Sequence, residues 1–557
     1  ARPQTPAPAA PKSPSMPFAA SVWRLAPLCA LLLPSGLLAV PVSKRQVVRS
    51  PSNATWVSPI AGCKGFDCVL QYIDLPDSAY TWYDTKLRLH GHAGGNHFGL
   101  SNVSWTGYVL NMTSQRWLTG ARVDHPVWWH NLVVIVPETV EFADWATLVL
   151  DFGINTRAGA LLHIDNRAPT YPVLRDLQDW FVVDRDNLPS HLAELKRAVF
   201  EAAVLAARTR APAAALLNLP NSGEVFASDP LHVDRLQDVL KGFTYQDFLD
   251  HPEEPERIHE MPVAKATVRA MDAIQAFTAS LPTGAVRRFG VTGYSKLGTA
   301  TYVAAAADHR VKAIAPMAIF ISQMPVPKVP LASGAELQAA RLRRRAFYGL
   351  RPGDMMDAYA GMMASRNTPE FRKLLRIVDP MHFMERLTMP KLIILGASDR
   401  IIGPSVEQGT QRYVPVLPGQ TAFLEVPNCD HNEVILKSLG SSAAFFRGHL
   451  LGRTPPSVNS TWRGALRTIT ATQTGDAQLR PLSVQRWDGP MDTNIGPWTA
   501  VPLATSGTGN ATATWSSKLP WHPYQPQSSA FIDLEFEWPE PGHRFHVSTM
   551  EYPQPGQ

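Results

Sequence analysis

Short apolar runs that end in turn residues recur along the middle of the chain, a pattern typical of buried strands. They cover residues 131–137, 146–153, 213–221, 287–293, 311–319, 391–398 and 422–428. Between them, apolar residues at helical spacing predict helices over 190–210, 263–281 and 296–308. Strands that alternate with helices in this way predict an α/β fold, in which a mostly parallel sheet is covered on both faces.

The pattern changes at two places. Before the strand at 391, helical stretches interrupt the alternation, and we assign about 325–387 to a cap over the edge of the sheet. Beyond a linker-like stretch near residue 453, short strands separated by Gly, Pro and Asn turns predict a small all-β domain of the sandwich type. The predicted domains are therefore 60–452 and 460–557.

The N-terminal segment is predicted to direct export. Residues 1–15 are low in complexity and are expected to form a disordered leader. Residues 16–45 hold Arg24 and then the apolar run Leu25–Val40, as in a cleaved signal peptide followed by a candidate pro-segment. The run is short for a membrane span and prolines interrupt it. We therefore expect a secreted protein without stable membrane insertion, with a signal anchor as the alternative.

Two further features fit an extracellular protein. Sequons for N-linked glycosylation occur at Asn53, Asn102, Asn111, Asn459 and Asn510. Among the four cysteines, Cys29 would leave with the signal peptide, and Cys63 and Cys68 could close a local disulfide in an oxidising compartment. Cys429 would remain as a lone thiol.

The composition is that of a globular protein without an extended basic surface. The 557 residues are 45% hydrophobic and 18% charged, and the formal net charge is +5. The lysines and arginines are scattered, which argues against a nucleic-acid partner. We also expect no cofactor.

The segment FGVTGYSKLG, Phe289–Gly298, passes from a predicted strand into a predicted helix, with Ser295 at the corner. A strand, a tight turn bearing a serine, and a helix make up a nucleophile elbow, in which small flanking residues let the helix pass the strand. The backbone N–H of the next residue, Lys296, can donate to an oxyanion. The spacing is G-x-S-x-x-G rather than G-x-S-x-G.

A nucleophilic serine needs a base and an orienting acid, which in this kind of fold follow it in the order acid, then histidine. Asp399 and His431 each follow a predicted strand and are expected at the same sheet edge as Ser295. The three predict a catalytic triad. The alternatives are that Asp399 caps a helix, that His431 is bonded only to backbone, or that Asp379 is the acid. Asp430, beside His431, is expected to point elsewhere.

Other residues that could bind a metal or act as a nucleophile are better explained by exposure or packing. The stretch LHGHAGGNH is expected to be exposed rather than to bind a metal, and its histidines are His90, His92 and His97. Two more histidines flank a pair of tryptophans, which favours packing: His125 and His130. Cys429 lacks an elbow, so a thiol nucleophile is disfavoured. We therefore expect no metal site.

Several long segments resemble the PhoPQ-activated pathogenicity-related protein family, which includes secreted proteins of the autocrine proliferation repressor type. Among them are HPVWWHNLVVIVP, VTGYSKLGTATYVAAAADHRVKAIAPM and LPGQTAFLEVPNCDHN, and the resemblance extends from about Ala61 to the C-terminus. It implies an α/β-hydrolase-like domain followed by a β-rich domain. It also implies similarity to serine hydrolases of the peptidase or esterase kind.

The resemblance carries over to the residues of the predicted triad. Ser295 falls on the serine of the family's G-x-S-K-x-G motif, Asp399 on the acid after the strand, and His431 on the histidine of P-N-x-D-H. The loop after the early strand, expected to supply a second oxyanion N–H from Gly153, reads Phe-Gly instead of the usual Gly-Gly.

Three further positions depart from the family's pattern. Leu297 stands where an arginine is usual, Ser405 takes the place of a second aspartate, and Cys429 replaces a small residue.

Two functions agree with this pattern. The first is a secreted serine hydrolase that acts on a small-molecule ester or a peptide through acyl transfer. The second is a weak or inactive hydrolase-fold protein that serves as a secreted signalling or binding factor, with a cell-surface receptor as its partner.

Overall fold

A ten-stranded sheet runs through the centre of the computed structural model. From one edge to the other, its strands are β10 (Thr421–Val426), β9 (Lys391–Gly396), β8 (Val311–Met317), β7 (Arg288–Tyr294), β4 (Trp145–Phe152), β6 (Ala213–Leu219), β3 (Val127–Pro137), β2 (Leu100–Arg116), β1 (Thr81–Gly95) and β5 (Phe181–Val183). The strands from β10 to β6 pair in parallel, and the remaining pairs are antiparallel. This topology is that of an α/β-hydrolase-like sheet and confirms the predicted fold class.

The structure describes residues 57–95, 100–153, 155, 181–183, 197–319, 322, 359, 362, 364–399, 401–402, 410–463, 466–475, 479–490, 497–503, 514–519 and 528–553. The predicted leader and signal peptide, and much of the predicted cap at 325–387, lie outside these residues. Within the described part of the chain, no helix is both long and apolar enough to cross a membrane.

Helices cover both faces of the sheet. They are α1 (Asp67–Asp74), α2 (Arg197–Thr209), α3 (Gln237–Asp250), α4 (Glu260–Thr278), α5 (Lys296–Ala307), α6 (Pro369–Val378), α7 (Thr410–Tyr413) and α8 (Val434–Leu450). The core against α2 and α8 takes Val133 and Ile135 from β3, whereas Leu132 and Val134 face the core of α4 and α5. Successive residues of a strand point to opposite faces, so strands buried on both sides read as continuous apolar runs.

The C-terminal residues form two antiparallel sheets. One contains β11 (Ser457–Arg463), β12 (Thr468–Thr474) and β15 (Thr514–Lys518). The other contains β13 (Ser483–Pro490), β14 (Thr499–Pro502), β16 (Ser528–Glu537), β17 (Arg544–Ser548) and β18 (Tyr552–Pro553). Ile469 and Trp515 of the first sheet share one hydrophobic core with Ile532 and Leu534 of the second. The two sheets thus bury apolar faces in common, as in a sandwich.

Near the start of the described chain, a disulfide joins Cys63 to Cys68 in the first turn of α1. Cys68 is fully buried, and Cys63 is nearly so. Both cysteines belong to the hydrophobic core that also contains residues of α4 and α5, so the disulfide is part of this core.

Candidate active site

Ser295 lies at a sharp turn between β7 and α5. Its φ of 56° and ψ of −133° are unfavourable for a residue with a side chain and are typical of a strained nucleophile elbow. The Ser295 N–H donates to the Met317 carbonyl at 2.9 Å, and the Ser295 carbonyl accepts from the Gly298 N–H at 2.8 Å. These bonds hold the turn at the carboxyl end of β7.

Two glycines allow this turn because helix and strand pass in close contact. A Cβ atom at Gly293 would lie 2.7 Å from the Leu297 carbonyl oxygen, and one at Gly298 would lie 2.6 Å from a methyl carbon of Ile319. Such separations are too short for real side chains. The second glycine is therefore needed within the first turn of α5, which accounts for the G-x-S-x-x-G spacing.

The structure brings the three residues of the predicted triad together. His431 Nε2 lies 3.0 Å from Ser295 Oγ, and His431 Nδ1 lies 2.8 Å from Asp399 Oδ2. Asp399 is fully buried, and His431 is 4% exposed. His431 thus lies between Ser295 and Asp399, and both distances match the geometry of a hydrogen-bonded nucleophile, base and acid.

Asp399 also holds its own loop. Its Oδ1 accepts hydrogen bonds from the N–H groups of Ile401 and Ile402, at 2.8 and 3.0 Å, while Oδ2 faces the imidazole. These bonds fix the loop after β9, whereas residues 403–409, which the helix-capping alternative would involve, lie outside the described residues. Asp399 reaches both the loop and the imidazole because it follows β9 in a tight turn.

Asp379, the alternative acid, and Asp430, the neighbour of His431, bond to other groups. Asp379 accepts from the Met381 N–H and contacts Ser322 Oγ at 3.1 Å. Asp430 accepts from the His431 N–H at 2.8 Å and forms a capping box with Glu433 at the start of the short 3-10 helix His431–Glu433. Asp430 thus positions the backbone of His431, whereas Asp399 contacts its ring.

The predicted oxyanion donors occupy the same edge of the sheet. Lys296 is the first residue of α5, so its N–H has no acceptor within the helix. Gly153 follows β4, which pairs in parallel with β7 up to the register Leu150 with Gly293. The Gly153 carbonyl accepts from the Gln237 side chain at 3.4 Å. The donor role of both residues stays a prediction.

The side chain of Lys296 turns away from the nucleophile and is buried. Its Nζ lies 2.9 Å from Asp238 Oδ2 and 4.0 Å from the centre of the Phe152 ring. The Tyr359 hydroxyl donates to the other Asp238 oxygen at 2.9 Å. Burial lowers the pKa of Lys296, and the neighbouring Asp238 carboxylate partly opposes this shift. The salt bridge with Asp238 thus holds the side chain of the residue that follows the nucleophile.

A largely buried cation contacts the residue before the nucleophile, and sequence reasoning missed it. Arg197 bonds to Asp151 at 3.0 Å and lies 4.4 Å from the centre of the Tyr294 ring. The Tyr294 ring in turn is 5.9 Å from the His431 ring. An arginine on the alanine-rich helix predicted over 190–210 was the available signal, because a charge on such a face needs a partner.

The loop of the predicted base is fastened to the C-terminal sheets, a second feature that the sequence did not reveal. Asn428, with a φ of 52°, accepts from the Trp498 N–H at 2.7 Å and donates to the Trp498 carbonyl at 3.0 Å. Trp498 packs on Phe531 of β16. The segment that leads into His431 is thus held by the β-rich region.

The remaining candidates lie in different settings. Cys429 is a free, fully buried thiol, and burial raises its pKa, which disfavours the reactive thiolate. His130 is buried between Ser114 and the Asn218 carbonyl, and burial lowers its pKa to about 4. Two histidines contact hydroxyl groups across the exposed side of β1 and β2: His90 and His92. His97 and Ser405 lie outside the described residues.

Comparison with known families now adds to this geometry. Residues 100–494 match the family model of the PhoPQ-activated pathogenicity-related protein. The match covers well over half of the chain. The chain belongs to the PhoPQ-activated pathogenicity-related protein family. The match includes every residue of the triad geometry described above, so the site lies within the part that defines this family.

One relative of this PhoPQ-related chain is the Autocrine proliferation repressor protein A of Dictyostelium discoideum. It is 24% identical over 496 residues, which cover 86% of this chain and 85% of the relative. Among solved structures, an acetyl xylan esterase from Thermoanaerobacterium sp. covers 67% of this chain and 90% of its own, with 12% identity and a TM-score of 0.35. A glucuronoyl esterase from Solibacter usitatus covers 70% and 89%, with 12% identity and a TM-score of 0.38. These structural likenesses are too loose to bear on the reaction.

Proposed function

We propose that this protein is a serine hydrolase that cleaves an ester or a peptide bond by acyl transfer. The observation that carries the proposal is the continuous hydrogen-bonded path from Ser295 Oγ through the His431 ring to the Asp399 carboxylate. A serine hydroxyl is a poor nucleophile by itself, and an adjacent oriented base makes it reactive.

In the proposed mechanism, Ser295 Oγ attacks the substrate carbonyl carbon while His431 Nε2 accepts its proton. Asp399 keeps the proton on His431 Nδ1 and stabilises the imidazolium that forms. The Lys296 N–H, with that of Gly153 as second donor, stabilises the oxyanion. His431 then protonates the leaving alcohol or amine. Water, activated by the same imidazole, releases the acid and restores the serine.

Labelling with a fluorophosphonate probe tests the proposal. We expect the folded wild-type protein to be labelled at Ser295, and we expect both Ser295→Ala and His431→Ala to remove the label. Ser457→Ala, which changes a serine of β11 bonded to Thr474, is the matched control and should label like wild type. Mass spectrometry of the labelled peptide identifies the modified serine.

An unlabelled but fully folded wild-type protein would contradict the hydrolase proposal. It would favour the second candidate, a signalling or binding factor that acts on a cell-surface receptor without turnover. The observation that favours this candidate is the 24% identity to a protein named as an autocrine proliferation repressor.

We further propose that the protein is secreted and carries N-linked glycans. Asn459 supports this because it is exposed on β11, an edge strand of its sheet. Asn111 is partly buried on β2, which lies between β1 and β3. Asn102 is also on β2, and Asn53 and Asn510 lie outside the described residues.

Expression through a secretory pathway should therefore yield glycan on Asn459. Asn459→Gln is expected to increase electrophoretic mobility by the equivalent of one glycan, and Asn111→Gln should not change it. Removal of the glycans with a glycosidase should make all three proteins migrate alike. Unchanged migration of the Asn459→Gln protein would contradict the assignment.

A further inference from the structure

A histidine and two carboxylates meet where the loop after β2 crosses the loop after β6. Val123 forms an antiparallel bridge with Phe226, and this bridge brings Asp124 and His125 to Glu224. One ligand atom from each of these three lies within 4.8 Å of the other two. His125 Nδ1 is 2.9 Å from Asp124 Oδ1 and 3.9 Å from Glu224 Oε2.

Glu224 is the unusual member of this cluster. Its side chain is 0% exposed, and neither of its carboxyl oxygens makes a hydrogen bond of normal geometry with a described residue. Donors of Asn221, His125 and Trp128 lie close enough to favour its charged form, but they do not reach that geometry. A fully buried carboxyl group without a hydrogen bond is costly unless another partner satisfies it.

Arg235, whose backbone pairs with that of Glu224, does not supply that partner. Its guanidinium bonds to Asp229 at 2.9 Å and lies over the Phe243 ring. Glu224 therefore faces Asp124 and His125 without a cation from Arg235.

We propose that Asp124, His125 and Glu224 bind a divalent metal ion, and the donor set points to Zn²⁺. Imidazole nitrogen with carboxylate oxygens suits zinc, whereas Ca²⁺ and Mg²⁺ take oxygen ligands alone. Zinc bonds of roughly 2.0–2.1 Å in a tetrahedral site place ligand atoms about 3.4 Å apart. The observed separations, from 2.9 Å to within 4.8 Å, bracket this value, so rotation of the two outer side chains would complete the site.

The site has an open side and a structural consequence. The side chains of Asp124 and His125 are 34% and 27% exposed, which leaves room for entry of the ion and for a water as fourth ligand. The loop of Glu224 also carries Asn221, whose carbonyl accepts from the Asn155 N–H at 2.7 Å. The ion would thus join two loops beside the segment that follows β4. None of its three ligands belongs to the predicted triad.

The decisive experiment compares wild type with Glu224→Gln after removal of metal by a chelator and gel filtration. Glutamine keeps the size of the glutamate side chain, so the metal-free variant is expected to fold, and its own unfolding temperature without metal is the reference for its zinc shift. Adding Zn²⁺ at about 100 times its dissociation constant should raise the wild-type unfolding temperature by a few degrees. The variant should show little or no shift, and equilibrium dialysis should find one ion per wild-type chain and an affinity at least tenfold lower in the variant.

His125→Asn, at a partly exposed position, should also lose the zinc-induced shift in unfolding temperature. It replaces Glu224→Gln in the comparison if that variant fails to fold. The double variant His90→Ala/His92→Ala removes two exposed histidines outside the proposed site and should keep the zinc-induced shift. Equal zinc shifts in wild type, Glu224→Gln and His125→Asn would overturn the proposal, and so would a wild-type response to Ca²⁺ or Mn²⁺ but not to Zn²⁺. Fluorophosphonate labelling of the same samples reports on Ser295 separately.

Discussion

Asp399→Asn is expected to lower kcat for an activated ester by a factor of about 10⁴ while the protein stays folded. The asparagine oxygen can still accept the bonds from Ile401 and Ile402, so the loop after β9 keeps its conformation. Its amide N–H would then face His431 Nδ1 and force the proton of the ring onto Nε2. In that tautomer, Nε2 cannot accept the proton of Ser295. Steady-state kinetics of both proteins measure kcat, and circular dichroism shows whether the variant is folded.

Asp430→Asn is the matched control, since it changes the carboxylate next to His431 in sequence. Asp430 caps the short helix at His431, and asparagine is an equally good cap. Its rate should therefore remain within a few fold of wild type. Equal losses in the two variants, or no loss in Asp399→Asn, would show that Asp399 does not orient the base.

The sequence was sufficient to place the triad residues together because each of them is local to one strand end. Ser295, Asp399 and His431 follow β7, β9 and β10, and parallel strands bring their carboxyl ends to one edge. Buried parallel strands read as unbroken apolar runs, so the sheet also appears in the sequence. The constraint on Gly293 also acts between neighbours in the chain, since its close contact is with Leu297, whereas Gly298 is constrained by Ile319, which follows β8.

The groups that support the site could not be predicted, because they come from distant parts of the chain. Arg197 reaches Asp151 and Tyr294 across two sheet elements, and Asn428 reaches Trp498 in the C-terminal region. No local pattern states which partner such a side chain will meet. Helices α1, α3 and α8 were missed as well. In α3, Lys241, Thr244 and Asp247 are buried, so polar residues fill positions that apolar periodicity would need.

The salt bridge behind Ser295 leads to a second prediction, in which stability and catalysis separate. Burial alone would raise the pKa of Asp238, but Lys296, together with Tyr359 and Lys241, outweighs it and holds this pKa below its ordinary value. Burial lowers the pKa of Lys296, which by itself opposes folding at neutral pH. The Asp238 carboxylate contributes stability that is fully present above the unfolded-state pKa of Asp, about 3.9. That contribution is lost as the pH falls through the lower pKa of the folded state.

Lys296→Met is expected to destabilise the protein by up to about 3–5 kcal/mol at neutral pH, because it leaves the largely buried Asp238 carboxylate without the cation that it bonds. Asp238→Asn in the same chain should recover much of this loss, so the two changes together should cost less than the sum of each alone. The rate constant of the folded Lys296→Met protein should stay within about tenfold of wild type, because the oxyanion donor is the backbone N–H, which methionine retains. Urea unfolding gives the first quantity and ester hydrolysis under native conditions the second. A collapse of the rate without a loss of stability would mean that the ammonium group, rather than the amide, acts at the reacting carbonyl.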